Sequence, residues 1–294
     1  IPPDFIVCRS SKMIDEVRKN KISLFCDVYP QDIISNPDVE CIYEIPLIFE
    51  EQGFGERIQE KLALRYRKPR LNDWSSVVER MKNPKKWVRI AIVGKYVDIG
   101  SHRLPDSYVS INEAIRHAAA RYETGAKISW LDSKKFEGGK KSIHALDSED
   151  GLIIPGGFGK VGVEGKIKAI EHSRNNGIPF LGICFGFQCA VVEFSRNRLG
   201  LTGAHSTEYS PDTPHPVIDI LPGQEKIIRD SNYGATMRLG AYPAKLAPGR
   251  IYRLYESLGR MGSDGLAYER HRHRDEGNPK YSEKIDEGGL KFVG

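Results

Sequence analysis

Short apolar runs alternate with longer amphipathic segments from residue 88 onward. The apolar runs are strand-length and often β-branched: Val88–Gly94, Ile128–Leu131, Gly151–Ile154 and Ile178–Leu181. The amphipathic segments have helical spacing: Ser107–Tyr122, Gly165–Asn176 and Phe187–Phe194. This alternation predicts an α/β domain with a mostly parallel central sheet covered by helices on both faces, which makes three layers. In such sheets, ligands bind at the carboxyl ends of the strands.

The amino-terminal stretch has a sparser pattern. The runs Phe5–Cys8 and Ile22–Cys26 predict buried strands joined by a helix near Met13–Val17, and Arg57–Leu62 predicts a second helix. These elements are few for a core of their own. We therefore expect them to pack on the second domain or on something outside this chain.

Residues 67–87 are basic and polar around one predicted helix, Trp74–Met81. This composition is typical of an interdomain linker. The predicted organisation is therefore a domain over 1–66, the linker over 67–87 and a second domain over 88–294.

Composition and charge narrow the classes of function. The chain has 294 residues, 39% of them hydrophobic and 28% charged, which is ordinary for a soluble globular protein. No apolar run is long enough for a transmembrane helix, and the start has no signal peptide pattern and no Met, which suggests a processed chain or an internal fragment. The net charge of +5 includes a cluster, Arg270–Arg274, with few aromatic neighbours. Such a cluster suits an anionic small molecule better than nucleic acid.

The cysteines indicate the compartment. There are five of them with no CxxC pair, which predicts neither a disulfide framework nor a zinc site, and favours a reducing, cytoplasmic setting. Cys8, Cys26 and Cys41 stand among apolar residues, so we expect them to be packing residues.

The segment Gly182-Ile183-Cys184-Phe185-Gly186 carries the strongest chemical signal. It joins a predicted strand to a predicted helix, which is the arrangement of a nucleophile elbow with cysteine as the nucleophile. The amino-terminal end of the helix is expected to favour the thiolate over the thiol. The alternative is a buried structural cysteine between two glycines.

A second segment, Pro155-Gly156-Gly157-Phe158-Gly159, follows the predicted strand Gly151–Ile154. Its glycines allow backbone N–H groups to point into a cavity, as an oxyanion hole requires. Alone, it is equally typical of a plain glycine-rich turn. Beside the elbow, the oxyanion interpretation is favoured.

Together these two segments resemble the signature of class I glutamine amidotransferase domains. Further motifs narrow the resemblance to the CTP synthase family, to which nearly the whole chain is similar. They occur in order: Lys21–Cys26, Ile42–Pro46, Val93–Tyr96, Gly162–Gly165, Ser206–Glu208, Thr236–Gly240 and Glu269–Arg274. The resemblance implies a class I glutamine amidotransferase domain, incomplete at its carboxyl end, preceded by the last part of a P-loop-like α/β amidoligase domain.

The resemblance also implies roles for individual residues in binding glutamine. Cys184 would form the γ-glutamyl thioester, and the backbone N–H groups of Gly157 and Phe185 would hold the oxyanion. Gln188 and Glu208 would bind the α-amino end and Arg274 the α-carboxylate. The segment that contacts glutamine would include Gly186 and Phe187. Taken alone, Glu208 and Arg274 would be interpreted as surface charges.

For the amidoligase part, Lys21 resembles a lysine that contacts UTP or the product CTP, and Pro37, Asp38 and Val39 resemble a stretch that contacts the adenine of ATP. Without the resemblance, a lysine opening a strand and an aspartate in a turn would indicate nothing. Arg238 lies in a segment that the family associates with GTP. The family implies Mg²⁺ and ATP as cofactors, GTP as an allosteric activator and a homotetramer arranged as a dimer of dimers.

The sequence departs from the family pattern in several places. The P-loop would lie upstream of Ile1, and the His and Glu of the triad, in a Phe-His-Pro-Glu segment, would lie beyond Gly294. His271 and His273 are not expected to replace that base, because in a strand they face away from Arg274. Asp275 and Gly277 stand where the family has Tyr and an apolar residue, and Asp275 is expected to compete for Arg274. Phe185 and Phe187 replace the commoner Leu and Met.

The predicted function is therefore CTP synthesis, the ATP-dependent amination of UTP with ammonia from glutamine, in a protein that is neither membrane-bound nor bound to nucleic acid and that holds no metal ligands within this chain. One alternative is another thiol hydrolase on the same elbow, such as a γ-glutamyl hydrolase. Another is a non-catalytic assembly or regulatory module.

Overall fold

The computed structural model describes residues 2–95, 98–99, 102–103, 108–138, 143–157, 159–221 and 238–294. The chain forms two compact units. The first consists of Ile1–Val88 with Asn112–Ala126, and the second of Arg89–Ile111 with Lys127–Gly294. In the described ranges, no helix combines the length and the apolar character that crossing a membrane requires.

Two parallel strands organise the first unit. Strand β1 (Ile6–Ser10) pairs with β2 (Ile33–Pro37) in the register Ile6 to Ile33, and helix α1 (Glu16–Cys26) connects them. The side chain of Asp15 caps α1 by accepting a hydrogen bond of 2.9 Å from the backbone N–H of Arg18.

The predicted strand Ile22–Cys26 is wrong, because these residues form the second half of α1. A short apolar run does not distinguish a strand from part of a helix, and here the Asp15 cap starts a helix that continues through the run. The prediction of burial also fails: Leu24 and Phe25 are 81% and 76% exposed. Cys26 is exposed as well, whereas Cys8 and Cys41 are half-buried, so the packing role expected of Cys26 is wrong.

The first unit also contains the helices α2 (Ile45–Glu51), α3 (Phe54–Lys61) and α4 (Asn72–Lys82). The last two confirm the helices predicted near Arg57 and Trp74. Gln52, which ends α2, ties that helix to β2 by accepting from the N–H of Ser35 at 2.8 Å and donating to its carbonyl at 2.9 Å.

A four-stranded sheet forms the centre of the second unit. Its strands have the order β6 (Thr124–Asp132), β3 (Lys86–Gly94), β7 (Gly151–Ile154) and β8 (Phe180–Gly182). The β3–β7 and β7–β8 pairs are parallel. The mostly parallel sheet predicted from the alternating pattern is therefore confirmed.

Helices α5 (Val109–Arg121), α7 (Val163–Asn176) and α8 (Phe185–Asn197) correspond to the three amphipathic segments. Gly177 ends α7 in the left-handed conformation, with φ at 67°. The two helices α7 and α8 pack on each other and on the sheet around a shared apolar core, which includes Val93, Leu152, Ile154, Ile167, Ile170, Val191 and Val192.

The remaining elements of the second unit are short. A three-stranded sheet has the order β13 (Asp275–Gly277), β10 (Pro216–Ile220), β9 (His205–Ser206), and β11 (Arg238–Ala244) pairs antiparallel with β12 (Ala267–His273). The others are β4 (Asp98–Ile99), β5 (His102–Arg103), α6 (Lys134–Glu137), α9 (Arg250–Ser257) and α10 (Pro279–Glu287).

A buried ion pair joins α7 to α8. Arg174 donates from Nε and Nη2 to the carboxylate of Glu193, at 2.8 Å for the shortest contact, and Asn197 donates to the same carboxylate at 3.1 Å. The Glu193 side chain is 1% exposed, so removing its charge would leave the guanidinium without its matched acceptor.

We therefore expect Glu193→Gln to lower the free energy of unfolding by about 1–3 kcal/mol, because a neutral amide cannot replace the charge-assisted pair with Arg174. Glu283→Gln, at an exposed position of α10, is the matched control and should change stability by less than about 0.5 kcal/mol. Chemical denaturation of the three proteins measures the difference. Equal loss in both variants would contradict a stabilising role for the pair.

Candidate functional site

Cys184 occupies a strained turn between β8 and α8. Its backbone has φ 55° and ψ −108°, a region that residues with a side chain rarely adopt. The turn is held on both sides: Ile183 donates its N–H to the Ile154 carbonyl at 2.9 Å, and the N–H of Gln188 bonds to the carbonyl of Cys184 at 3.2 Å. The predicted elbow is thus present, with Cys184 at its apex.

The two glycines of the elbow are needed for close packing. A Cβ on Gly186 would lie 2.0 Å from the carbonyl oxygen of Ile154, and a Cβ on Gly182 would lie 2.6 Å from the carbonyl carbon of Gly186. Neither position has room for a side chain. The start of α8 therefore lies directly against the carboxyl end of β7.

The glycine-rich segment lies beside the thiol. A Cβ on Gly156 would come 3.6 Å from the Cys184 sulfur, so the backbone there lies next to the nucleophile. A Cβ on Gly157 would meet no atom within 4 Å, which means that this side of the segment faces open space among the described residues. Phe158 lies outside the described residues. Of the two backbone donors predicted from the sequence, the N–H of Phe185 hydrogen-bonds to the sulfur, and Gly157 follows the Gly156 backbone that lies beside it.

The protonation of Cys184 differs from the expectation. Burial raises the pKa of the thiol; the backbone N–H of Phe185 hydrogen-bonds to it and lowers the pKa, but does not reverse the effect. Glu208 raises this pKa further, whereas Lys166 and Arg272 lower it. The expectation that the helix terminus makes Cys184 a ready thiolate is therefore wrong in its net direction, because removing the sulfur from water outweighs the donor.

Gln188 links the elbow to β13. Its side chain is buried and donates from Nε2 to the backbone carbonyl of Asp275 at 3.0 Å. Its amide oxygen has no donor among the described residues and remains available to accept from an ammonium group. Gln188 thus fixes one wall of the site while keeping the acceptor that its predicted role requires.

Charged groups of both signs lie in this region of the structure. Glu208 is an exposed residue, yet its carboxyl lies close enough to neighbouring atoms that burial raises its pKa, while Tyr209, Lys95 and Arg274 lower it. Arg274 lies between β12 and β13 and accepts from the N–H of Leu221 at 2.9 Å through its carbonyl. Glu208 and Arg274 therefore lie within electrostatic range of each other, as their predicted roles at opposite ends of one amino acid require.

Asp275 is the departure from the family pattern that matters most. Its residue is 6% exposed, and burial raises its pKa to about 6; Glu208 and Asp219 raise it further, and Arg274 lowers it. The carboxyl interacts with Arg274, as the sequence suggested. Near neutral pH it is ionised, but at an energetic cost.

Two buried lysines near the elbow were missed in the sequence. Lys95 is 7% exposed, donates to the carbonyl of Gly159 and holds its Nζ 4.8 Å from the centre of the Phe185 ring. Lys166 on α7 is fully buried, with its Nζ 4.8 Å from the same ring centre. The one available signal was spacing, because Lys166 falls three residues after Val163 on the apolar stripe of α7.

The nucleotide-binding residues predicted in the first unit lie on different elements of the structure. Pro37 ends β2 and Asp38 follows it, pairing with Arg9 at 3.1 Å, so both lie at the carboxyl ends of the parallel strands, and Val39 comes next. Lys21 is exposed in the middle of α1 and does not open a strand as predicted. Among the described residues, Lys21 makes no hydrogen bond or ion pair with Pro37, Asp38 or Val39.

Some predicted positions cannot be located. Tyr96, Thr236 and Met237 lie outside the described residues, and for Arg238 the structure describes the backbone only. Within the described ranges, no group of three or more His, Cys, Asp and Glu side chains is arranged to hold a metal ion.

The raised pKa of Asp275 gives a pH-dependent prediction. The folded protein binds the proton of the Asp275 carboxyl more tightly than the unfolded chain does. Protonation of Asp275 therefore stabilises the folded state fully below about pH 4, and this stabilisation is lost as the pH rises through about 6. Asp275→Asn, which stays neutral, should match the parent near pH 4 and exceed its free energy of unfolding by up to about 3 kcal/mol near pH 8.

Denaturation curves at several pH values measure this difference, with Asp212→Asn at an exposed position as the control. A stability gap that is the same at every pH would show that Asp275 does not titrate between the folded and unfolded states as inferred.

Comparison with known proteins assigns both parts of the chain. Residues 103–294 match the family Glutamine amidotransferase class-I, and residues 1–64 match the family CTP synthase N-terminus. Among curated proteins, the chain is 48% identical over its whole length to a CTP synthase of Pyrococcus furiosus, and 46% identical to one of Methanopyrus kandleri. It covers 52% and 53% of these relatives, so it spans about half of their length.

A solved structure is also similar. The glutaminase domain of Trypanosoma brucei CTPS with bound acivicin superposes with a TM-score of 0.59 at 34% sequence identity, covering 69% of this chain and 72% of that one. The resemblance inferred from the motifs is thereby confirmed. The chain belongs to the CTP synthase family, and its larger unit has the class I glutamine amidotransferase fold.

Proposed function

We propose that this chain carries the glutamine-hydrolysing site of a CTP synthase. Cys184 attacks the side-chain amide of glutamine, and the ammonia released is used by the intact protein to aminate UTP. The observation that carries the proposal is the position of Cys184 at the apex of a strained elbow, beside the Gly156 backbone.

The first chemical step requires an anionic sulfur and a stabilised oxyanion. The N–H groups of Phe185 and Gly157 are the proposed donors to the tetrahedral intermediate. Because burial raises the pKa of Cys184, a base must remove its proton as glutamine binds. None of the described residues is assigned as this base. The family resemblance implies instead a His and a Glu that follow Arg274 in the sequence.

The amino acid end of glutamine is held by opposite charges. Glu208 and the free amide oxygen of Gln188 accept from the α-ammonium, and Arg274 pairs with the α-carboxylate. The segment Gly186–Phe187 lines the turn between them. When Asp275 is ionised it competes for Arg274, so glutamine affinity should be weaker above about pH 6 than in a relative without this carboxyl.

The remaining assignments concern the intact protein. The domain boundaries at 66 and 88, with a linker over 67–87, are part of the proposal. The curated relatives are about twice as long as this chain and are CTP synthases, which supports ATP and Mg²⁺ as cofactors for the amination. Pro37, Asp38 and Val39 would contact ATP and Lys21 the pyrimidine nucleotide, with GTP as an activator, a homotetramer and a cytoplasmic location following from the same resemblance.

Confining ammonia between the two reactions has a chemical reason. At neutral pH free ammonia becomes protonated and loses its nucleophilicity, so a site that excludes water keeps it reactive. Glutamine hydrolysis should therefore respond to the nucleotides that prepare UTP for amination.

The test is a glutaminase assay on the intact protein. Cys184→Ala should lower glutamine hydrolysis by at least about 10³-fold, because no other group can form the thioester. Cys26→Ala, at an exposed cysteine of α1, is the matched control and should keep parental activity. In the parent protein, hydrolysis should rise when UTP and ATP are added together.

The alternatives give different results in the same assay. Hydrolysis that ignores nucleotides would indicate a general thiol hydrolase such as a γ-glutamyl hydrolase. No hydrolysis under any condition would indicate an assembly or regulatory module, and full activity in Cys184→Ala would refute the role of this cysteine.

A further inference from the structure

Lys166 is a buried ammonium without a hydrogen-bond acceptor in the part of the chain that the structure describes. Its residue is 0% exposed, and its Nζ makes no hydrogen bond to any described residue. An unpaired charge inside a protein opposes folding, and an apolar side chain of similar shape in its place is often neutral or stabilising. The proposed reaction, as derived above, assigns Lys166 no role, so its presence needs a separate physical reason.

Lys166 contacts the elbow through the ring of Phe185. Its Nζ lies 4.8 Å from the centre of the Phe185 ring, and Phe185 is the residue whose backbone N–H donates to the sulfur of Cys184. The Nζ of Lys95 lies at the same distance from that ring. Ring faces attract cations, so the ring of Phe185 holds two positive charges beside the first turn of α8. Its packing against the Tyr209 ring, at 5.3 Å, limits how far it can move.

The titratable groups that face Lys166 lie on three segments. Burial lowers the pKa of Lys166 to about 8, the thiols of Cys189 and Cys184 raise it, and Lys95 lowers it. Burial raises the pKa of Cys189 to about 12, so that thiol stays neutral at working pH. The sulfur of Cys184 is therefore the facing group that can become an anion during the reaction.

The same coupling acts on Cys184. Glu208 opposes ionisation of its thiol, whereas Lys166 and Arg272 favour it. Of these two cations, Arg272 is exposed and its field is weakened by water, while Lys166 is fully buried. Lys166 therefore favours the thiolate of Cys184 more than Arg272 does.

We propose that Lys166 is a positioning residue of the thiol site, whose buried ammonium holds the Phe185 ring in place and stabilises the thiolate of Cys184. The inference rests on the proposed function only for the use of that thiolate. At neutral pH Lys166 keeps its proton, and the proton lost by Cys184 goes to the base or to water. The charge of Lys166 therefore stabilises the anionic, reacting form of Cys184 more than its neutral, resting form.

The experiment measures the reactivity of Cys184 in Lys166→Met of the intact protein, without glutamine. Methionine keeps the unbranched shape and removes the charge. Alkylation by iodoacetamide, followed for the peptide containing Cys184 between about pH 6 and 8, where Lys166 is mostly protonated, should be roughly 3- to 10-fold slower near pH 7. The midpoint of thermal unfolding should stay equal or rise, because a buried unpaired charge has been removed.

Lys168→Met is the matched control, because Lys168 is exposed two residues further along the same helix. It should leave the alkylation profile unchanged. A folded Lys166→Met with the parental alkylation profile would overturn the proposal, as would a variant that is less stable with an unchanged profile, which indicates a structural role alone.

A second measurement covers the case in which Lys166→Met does not fold. The titration of Lys166 itself, followed by NMR of labelled lysine, should occur at lower pH in Cys184→Ser than in the parent, since serine provides no anion. An identical titration in both proteins would overturn the proposal. Neither readout uses glutamine, so an inactive glutaminase with a shifted alkylation profile would refute the proposed function and leave this inference standing.

Discussion

The close packing of the elbow against the end of β7 is the constraint on which the site depends. The backbone at Gly186 approaches the carbonyl of Ile154 so closely that even a methyl group has no room there. With the start of α8 fixed in this position, the chain passes from β8 into α8 through Cys184, whose φ is positive at 55°. The strain at Cys184 is therefore a consequence of packing around it, and the packing holds the sulfur beside the glycine-rich segment that follows β7.

Burial then determines the electrostatics of this sulfur. Removal from water raises the pKa of Cys184, of Glu208 and of Asp275, so the site as a whole resists accumulating negative charge. Lys95, Lys166 and Arg274 provide the opposing positive charge, two of them through the shared ring of Phe185. A thiol that is neutral at rest and stabilised as an anion only when a base and substrate are present suits a site that should not react without its substrate.

Much of this arrangement could be predicted from the sequence because it depends on local patterns. Alternating apolar runs and amphipathic segments predicted the parallel sheet, and Gly-x-Cys-x-Gly between a strand and a helix predicted the elbow. Local patterns failed where contacts between distant parts of the sequence determine secondary structure and burial. Ile22–Cys26 looked like a strand and is helix, and nothing was predicted for Lys166, which is fully buried. The net pKa shift of Cys184 also depends on burial, which no motif reports.

The central claim is that Cys184 is the nucleophile toward glutamine, and its most direct test is to capture the covalent intermediate. The intact protein is mixed with glutamine, quenched rapidly in acid during turnover and digested, and each cysteine peptide is examined by mass spectrometry. The account predicts a glutamyl adduct on the peptide that contains Cys184 and none on Cys26 or Cys41. Glutamine hydrolysis that proceeds without any adduct on Cys184, or with the adduct on another cysteine, would contradict it.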